Sequence, residues 1–121
     1  MAESYTIKRI KKRDGSIVLF DENKITNAIF RAFKATDQDD YEKVKKISKK
    51  VCSVLDIFFM GGGIPTVEGI QDLVEKTLME SGEAEVAKSY ILYRKQRQEI
   101  REGKGFILDV QKTMDGYIDQ S

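Results

Sequence analysis

Two cationic side chains stand beside a predicted tight turn near the beginning of the chain. Lys12 and Arg13 immediately precede an Asp-Gly pair that lies between two β-prone segments. Such a pair predicts a β-hairpin, because glycine tolerates the positive φ that a tight turn needs. A helix is predicted to begin soon afterwards, at Asp21 or Asn23, and the first N–H groups of a helix have no acceptor inside it. Cations and unpaired N–H groups together favour binding of an anion such as a phosphate, although a solvated, charged hairpin tip accounts for the same residues.

The composition excludes sites that depend on histidine or on more than one cysteine. The chain has no histidine and a single cysteine, Cys52. An internal disulfide, a Cys/His zinc site, and a Ser-His or Cys-His nucleophile pair are therefore excluded. An acidic loop contains Asp37, Asp39 and Asp40 but lacks the glycine and the terminal glutamate of a calcium-binding loop. We predict no catalytic residue and no metal site built by protein ligands.

Two other segments have simple structural interpretations. The Gly61-Gly62-Gly63 run is not followed by the Gly-Lys-Ser/Thr sequence of a nucleotide phosphate-binding loop. It is therefore predicted to connect two helices. Five lysines between residues 43 and 50 lie opposite the apolar positions of a predicted helix, an arrangement that is typical of a solvated surface.

Length and charge indicate one modest domain. A chain of 121 residues buries roughly two-thirds of its unfolded surface. The formal net charge is +1, but residues 1–50 carry 13 Lys/Arg against 8 Asp/Glu, whereas residues 51–121 carry 8 against 12. Near-neutral charge argues against nucleic acid as a partner. No apolar run approaches ~18 residues and no signal peptide is recognisable, so we predict a cytoplasmic protein without a membrane partner.

The hydrophobic periodicity predicts two short strands followed by helices, an α+β chain that is mostly helical. The strands end near Ile10 and Phe20, and apolar residues recur at helical spacing over 25–33 and 44–58. Thr66 is predicted to be the N-cap of a third helix that Ser81-Gly82 closes. A fourth helix is predicted from about 84 to about 102. We expect residues 1–102 to form the domain, with a hinge at 103–105 and a short linker helix within residues 103–121.

Three blocks of this sequence, in order, resemble the ATP-cone domain over about residues 5–100. The first extends from Ile10 through Lys12-Arg13-Asp14-Gly15 to Lys24-Ile25, the second covers 65–75, and the third covers 86–94. Residues 110–121 are similar to the segment that leads into the catalytic barrel of anaerobic, glycyl-radical ribonucleoside-triphosphate reductases. The resemblance implies a small N-terminal β-hairpin that caps a four-helix bundle. It also implies binding of ATP or dATP, with magnesium, as an allosteric effector.

The resemblance further implies which residues bind the nucleotide. Four cations would contact the triphosphate, three isoleucines would enclose the adenine, and one glutamine would meet the polar edge of the base. The helix start near Asp21 would add backbone donors. The implied nucleotide-binding set is Ile10, Lys12, Arg13, Asp21, Lys24, Ile25, Thr66, Ile70, Gln71 and Lys95.

A regulatory role follows from the resemblance. ATP would permit, and dATP would inhibit, the reduction of ribonucleoside triphosphates by a reductase whose catalytic domain is the expected partner. Because the two effectors differ by one hydroxyl, each must prefer a different conformational or oligomeric state, so we expect effector-dependent homo-oligomers. The chain itself is expected to catalyse nothing.

Two alternatives remain open at the level of sequence. A nucleic-acid-binding module would use the cations of residues 8–13 and 43–50, and would show steep salt dependence. A protein-interaction module would use the apolar positions of residues 107–117 and would self-associate without nucleotide.

Overall fold

A computed structural model of the protein describes residues 6–103. This part of the chain begins with an antiparallel hairpin of β1 (Arg9–Lys11) and β2 (Ile17–Leu19). The helices α1 (Glu22–Ala35), α2 (Tyr41–Phe58), α3 (Val67–Glu80) and α4 (Ala84–Arg101) follow. The predicted α+β, mostly helical class is confirmed. The predicted linker helix lies outside the described residues.

The chain divides into two compact units, residues 1–90 and 91–121. The described part of the first unit contains the hairpin, α1 to α3 and the beginning of α4. The described part of the second contains the remainder of α4 and ends at Gly103, which has a φ of 84°. The domain boundary after residue 102 stays a prediction.

Side-chain caps fix where three of the helices begin. The Asp21 carboxylate accepts the Asn23 N–H at 3.0 Å, and Asp40 caps α2 in the same way. The Thr66 hydroxyl accepts the Gly69 N–H at 3.0 Å. Such side chains satisfy N–H groups that the first helical turn leaves without an acceptor. Of the two predicted starts of the first helix, Asp21 is therefore the N-cap, and the predicted N-cap at Thr66 is confirmed.

The apolar faces of the helices in the first unit meet in one core. Phe33 is the largest fully buried side chain. The buried apolar side chains of this unit are Ile7, Ile25, Ile29, Ala32, Phe33, Val44, Ile47, Val51, Cys52, Leu55, Ile70, Val74, Leu78, Val86, Ala87 and Tyr90. The hydroxyl oxygens of Thr26 and Ser48 lie 2.7 Å apart between α1 and α2. This hydrogen bond satisfies two buried polar groups, which would otherwise destabilise the core.

The end of α2 departs from the predicted apolar face. Phe58 has the spacing of a core residue, but its side chain is 72% exposed. Phe59 packs against the core instead. Phe59 lies four positions after the buried Leu55, and side chains at that spacing lie on one face of a helix.

The hairpin is attached to the helices through both its side chains and its backbone. Ile10 packs against the core. The N–H of Lys11 donates to the carbonyl of Pro65 at 2.9 Å, and Lys11 also forms a parallel bridge with Thr66. These contacts hold the hairpin beside the beginning of α3.

Candidate anion-binding cleft

The hairpin turn is braced by its own backbone and by one carboxylate. The Gly15 N–H donates to the Lys12 carbonyl at 3.0 Å, and the Lys12 N–H donates to the Ser16 carbonyl at 2.8 Å. Gly15 has a φ of 91°, a conformation that glycine adopts without steric cost. The Asp14 carboxylate accepts the Ser16 N–H at 2.9 Å and the Ser16 hydroxyl at 2.7 Å. The turn therefore holds the chain at Arg13 in a defined position.

The hydrogen bonds from Ser16 lower the pKa of Asp14 below its ordinary value of 3.8. We expect Ser16→Ala, which removes the hydroxyl donor, to raise this pKa toward 3.8. The stabilised, ionised form of Asp14 adds to the free energy of unfolding above pH 3.8. This contribution is lost as the pH falls through the lowered pKa of the folded state. A carboxyl NMR titration of wild type and Ser16→Ala measures the change; identical midpoints for Asp14 would contradict the assignment.

A cleft of about 370 Å³ lies between the hairpin turn and the beginning of α3. It is lined by Lys11, Lys12, Arg13, Gly15, Thr66, Val67 and Glu68. Three of these side chains are cationic and one is anionic. The start of α3 also lines the cleft. N–H groups without intrahelical acceptors and the helix dipole at such a start favour binding of an anion. The cleft is thus suited chemically to phosphate groups.

Arg13 spans the cleft to α3. Its Nε donates to Glu68 Oε2 at 3.2 Å, and its Nη2 donates to Gln71 Oε1 at 2.9 Å. The Arg13 side chain is 31% exposed and that of Glu68 is 62% exposed. The guanidinium group is therefore already directed at the helix start by a charged and a neutral acceptor.

The structure brings part of the predicted nucleotide-binding set together in this cleft. Lys12, Arg13 and Thr66 line it, and Gln71 contacts Arg13. Asp21 caps α1 and is not among the residues that line the cleft. The helix start that faces the cations is that of α3.

The other members of the predicted set are not among the residues that line the cleft. Ile25 and Ile70 are each 7% exposed and belong to the core, against which Ile10 packs. Lys24 is exposed on α1, and Lys95 lies on the part of α4 that belongs to the second unit. Their roles in nucleotide binding stay predictions.

Four residues that line the cleft are absent from the predicted nucleotide-binding set, and one of them, Gly15, was predicted only as the turn glycine. Lys11 lies in β1 beside the predicted pair of cations, whereas Val67 and Glu68 form the first two positions of α3. The confirmed N-cap at Thr66 could have indicated the last two, because the residues after an N-cap carry the unpaired N–H groups. Sequence alone did not show that this helix start faces the hairpin.

Comparison with known protein families gives a match to the ATP cone domain over residues 8–99. The chain belongs to the ATP-cone family. The identification made from the hairpin and helix blocks is therefore confirmed, and the cleft described above lies within the matched part of the ATP cone.

The ATP cone is similar to parts of several ribonucleotide reductases. It is 43% identical over 103 residues to the vitamin B12-dependent ribonucleoside-diphosphate reductase of Thermoplasma acidophilum, covering 81% of the chain. The enzyme of that name from Mycobacterium tuberculosis is 38% identical over 99 residues, or 82% of the chain. The anaerobic ribonucleoside-triphosphate reductase of Haemophilus influenzae is 36% identical over 110 residues, or 91% of the chain. The matched segments represent 13%, 14% and 15% of these relatives, in the same order.

Two further features of residues 6–103 bear on function. None of the helices in this range combines the length and the apolar character needed to cross a membrane. Within the same range, no three His, Cys, Asp or Glu side chains are grouped so as to hold a metal ion.

Proposed function

We propose that this ATP cone is an adenine-nucleotide sensor that binds ATP or dATP and regulates a ribonucleotide reductase. The observation that carries this proposal is the cleft at the hairpin turn. Three cationic side chains and the start of α3 surround a cavity of about 370 Å³ there. Family membership supports adenine nucleotides as the ligand.

The triphosphate occupies the cleft in this proposal. Arg13 offers a planar fork of donors, whereas Lys11 and Lys12 offer mobile point charges. The N–H groups at the start of α3 approach the same phosphates. We propose Lys24 and Lys95 as additional phosphate contacts, and magnesium as the cation that accompanies the nucleotide.

The adenine binds next to the core in this proposal. Ile25 and Ile70 belong to one buried cluster, and Ile10 of the hairpin packs against it. A base that enters where Ile10 meets this cluster is enclosed by apolar side chains on both faces. Gln71 lies one residue beyond Ile70 and contacts Arg13 at 2.9 Å, so its amide can link recognition of the base to recognition of the phosphates.

Regulation requires that ATP and dATP stabilise different states of the ATP cone. They differ by one 2′-hydroxyl, so only a difference in affinity between states can produce opposite outcomes. We propose that the catalytic domain of the reductase responds to this difference, with effector-dependent self-association as one route. The match over 91% of the chain to an anaerobic ribonucleoside-triphosphate reductase supports that class as the parent enzyme.

Isothermal titration calorimetry of the purified chain with ATP, dATP and GTP, each with magnesium, tests the nucleotide sensor. We expect micromolar binding of both adenine nucleotides and weak binding of GTP. A repeat without magnesium measures the contribution of the cation. Equal affinity for GTP would contradict adenine recognition, and absence of binding by all three would contradict the proposed function.

A protein-interaction module is a second candidate, and exposed apolar residues at the end of α2 favour it. Ile57 is 65% exposed, Phe58 is 72% exposed and Met60 is 69% exposed. Clustered apolar side chains of this kind mark many protein-binding surfaces. Light scattering with and without dATP separates the candidates, since a pure interaction module self-associates equally in both conditions.

A further inference from the structure

The Arg13 side chain has an anionic partner within the cleft itself. Glu68 Oε2 accepts from Arg13 Nε at 3.2 Å, and Glu68 itself lines the cleft. The pair joins the hairpin turn to the second residue of α3, which is 55 residues further along the chain. A carboxylate therefore occupies the Nε edge of the guanidinium group, where a ligand bound at that edge would place its own negative charge.

We propose that Glu68 is a specificity-determining residue of this cleft, an internal carboxylate that competes with the phosphate groups of the ligand for Arg13. This inference rests on the proposed nucleotide site. An anion that binds at the Nε edge of Arg13 must displace Glu68. The affinity measured for such an anion is therefore the difference between its own interaction with Arg13 and that of Glu68. Phosphate groups can displace Glu68 because they carry more negative charge than a carboxylate and also accept hydrogen bonds from Lys11, Lys12 and the start of α3. A monocarboxylate gains little by replacing Glu68.

The exposure of the two side chains makes the exchange feasible. Glu68 is 62% exposed, so its carboxylate can turn into water without being buried unpaired. Ion pairs between solvent-exposed side chains contribute little to stability, and a phosphate can therefore replace this one. Gln71 is neutral and does not have to leave, so its contact at 2.9 Å keeps the guanidinium group at the cleft during the exchange.

The test is a double-mutant cycle on ATP affinity with Glu68→Gln and Arg13→Ala. Glutamine keeps the size of the side chain and removes its charge. We expect Glu68→Gln to tighten ATP binding roughly threefold to fivefold, in keeping with a partly exposed pair. On the Arg13→Ala background, Glu68→Gln should change the ATP affinity by less than about twofold, because Arg13, the side chain for which Glu68 and the phosphate compete, is absent.

Glu80→Gln is the matched control. Glu80 ends the same helix α3 and is exposed. About 18 Å of helix separates it from Glu68, at 1.5 Å per residue. We expect Glu80→Gln to leave ATP affinity unchanged, which separates competition at the cleft from a general change in net charge. Circular dichroism of each variant confirms that it is folded.

The outcomes separate this inference from the nucleotide site itself. If Glu68→Gln tightens binding equally with and without Arg13, Glu68 only repels phosphate through space and the competition is overturned. If it changes nothing while Arg13→Ala weakens binding, the nucleotide site stands and the role of Glu68 fails. If no variant binds any nucleotide, the proposed function and this inference fail together.

Discussion

Replacing Lys12 and Arg13 together with alanine is expected to weaken ATP binding by more than tenfold. Hydrogen bonds to charged groups contribute about 1.5–3 kcal/mol each, and about 1.4 kcal/mol corresponds to a factor of ten. Both side chains line the cleft. Calorimetric titration of the variant with ATP and magnesium measures the loss.

A matched double substitution controls for net charge. Lys46 and Lys50 are exposed on α2 and are not among the residues that line the cleft. Their replacement by alanine should leave ATP affinity within about twofold of wild type, as expected for distant surface charges that salt screens. An unchanged affinity in the Lys12/Arg13 variant would refute the site. If instead the Lys12/Arg13 and Lys46/Lys50 double substitutions equally reduce retention of an oligonucleotide, the result favours the nucleic-acid-binding alternative.

Local sequence predicted the elements of this fold well because their boundaries depend on neighbouring residues. An Asp-Gly pair specified the hairpin turn, and Gly15 has the positive φ that such a turn uses. Asp21, one of the two predicted starts, caps α1, and Thr66 caps α3 as predicted; the hydrogen bond to the cap side chain is 3.0 Å long in both cases. Each of these features needs only a few consecutive residues, so no knowledge of the tertiary structure was required.

Local sequence predicted the cations of the cleft but not the helix start that faces them, because that arrangement depends on packing between distant segments. Either α1 or α3 could have presented its start to the cations, and local sequence does not distinguish them. The hydrogen bond from the Lys11 N–H to the Pro65 carbonyl places the hairpin beside α3, so the start of α3 faces the cations. The Arg13–Glu68 ion pair, which joins residues 55 positions apart, follows from the same packing and has no local pattern.

Phe33→Ala is expected to have the largest effect on stability of the substitutions considered. Phe33 lies on α1 and is 0% exposed, in the cluster that holds the helices of the first unit together. Truncation of a buried phenylalanine costs about 3–5 kcal/mol, because it loses apolar burial and leaves a cavity. Domains have about 5–15 kcal/mol of unfolding free energy in total. The variant should therefore be near the limit of stability, which urea denaturation followed by circular dichroism measures.

Phe58→Ala makes the same chemical change at an exposed position and separates burial from side-chain type. Phe58 is 72% exposed although it continues the apolar spacing of α2. Most of its ring surface remains in water in the folded state, and substitutions at such surface positions usually change stability by less than about 0.5 kcal/mol. Equal destabilisation by the two substitutions would contradict the core described for the first unit. A large effect of Phe33→Ala alone would show that this packing holds α1 in place. The hairpin rests on the same core through Ile10. The Phe33→Ala variant should therefore also lose apparent ATP affinity in proportion to its unfolded fraction.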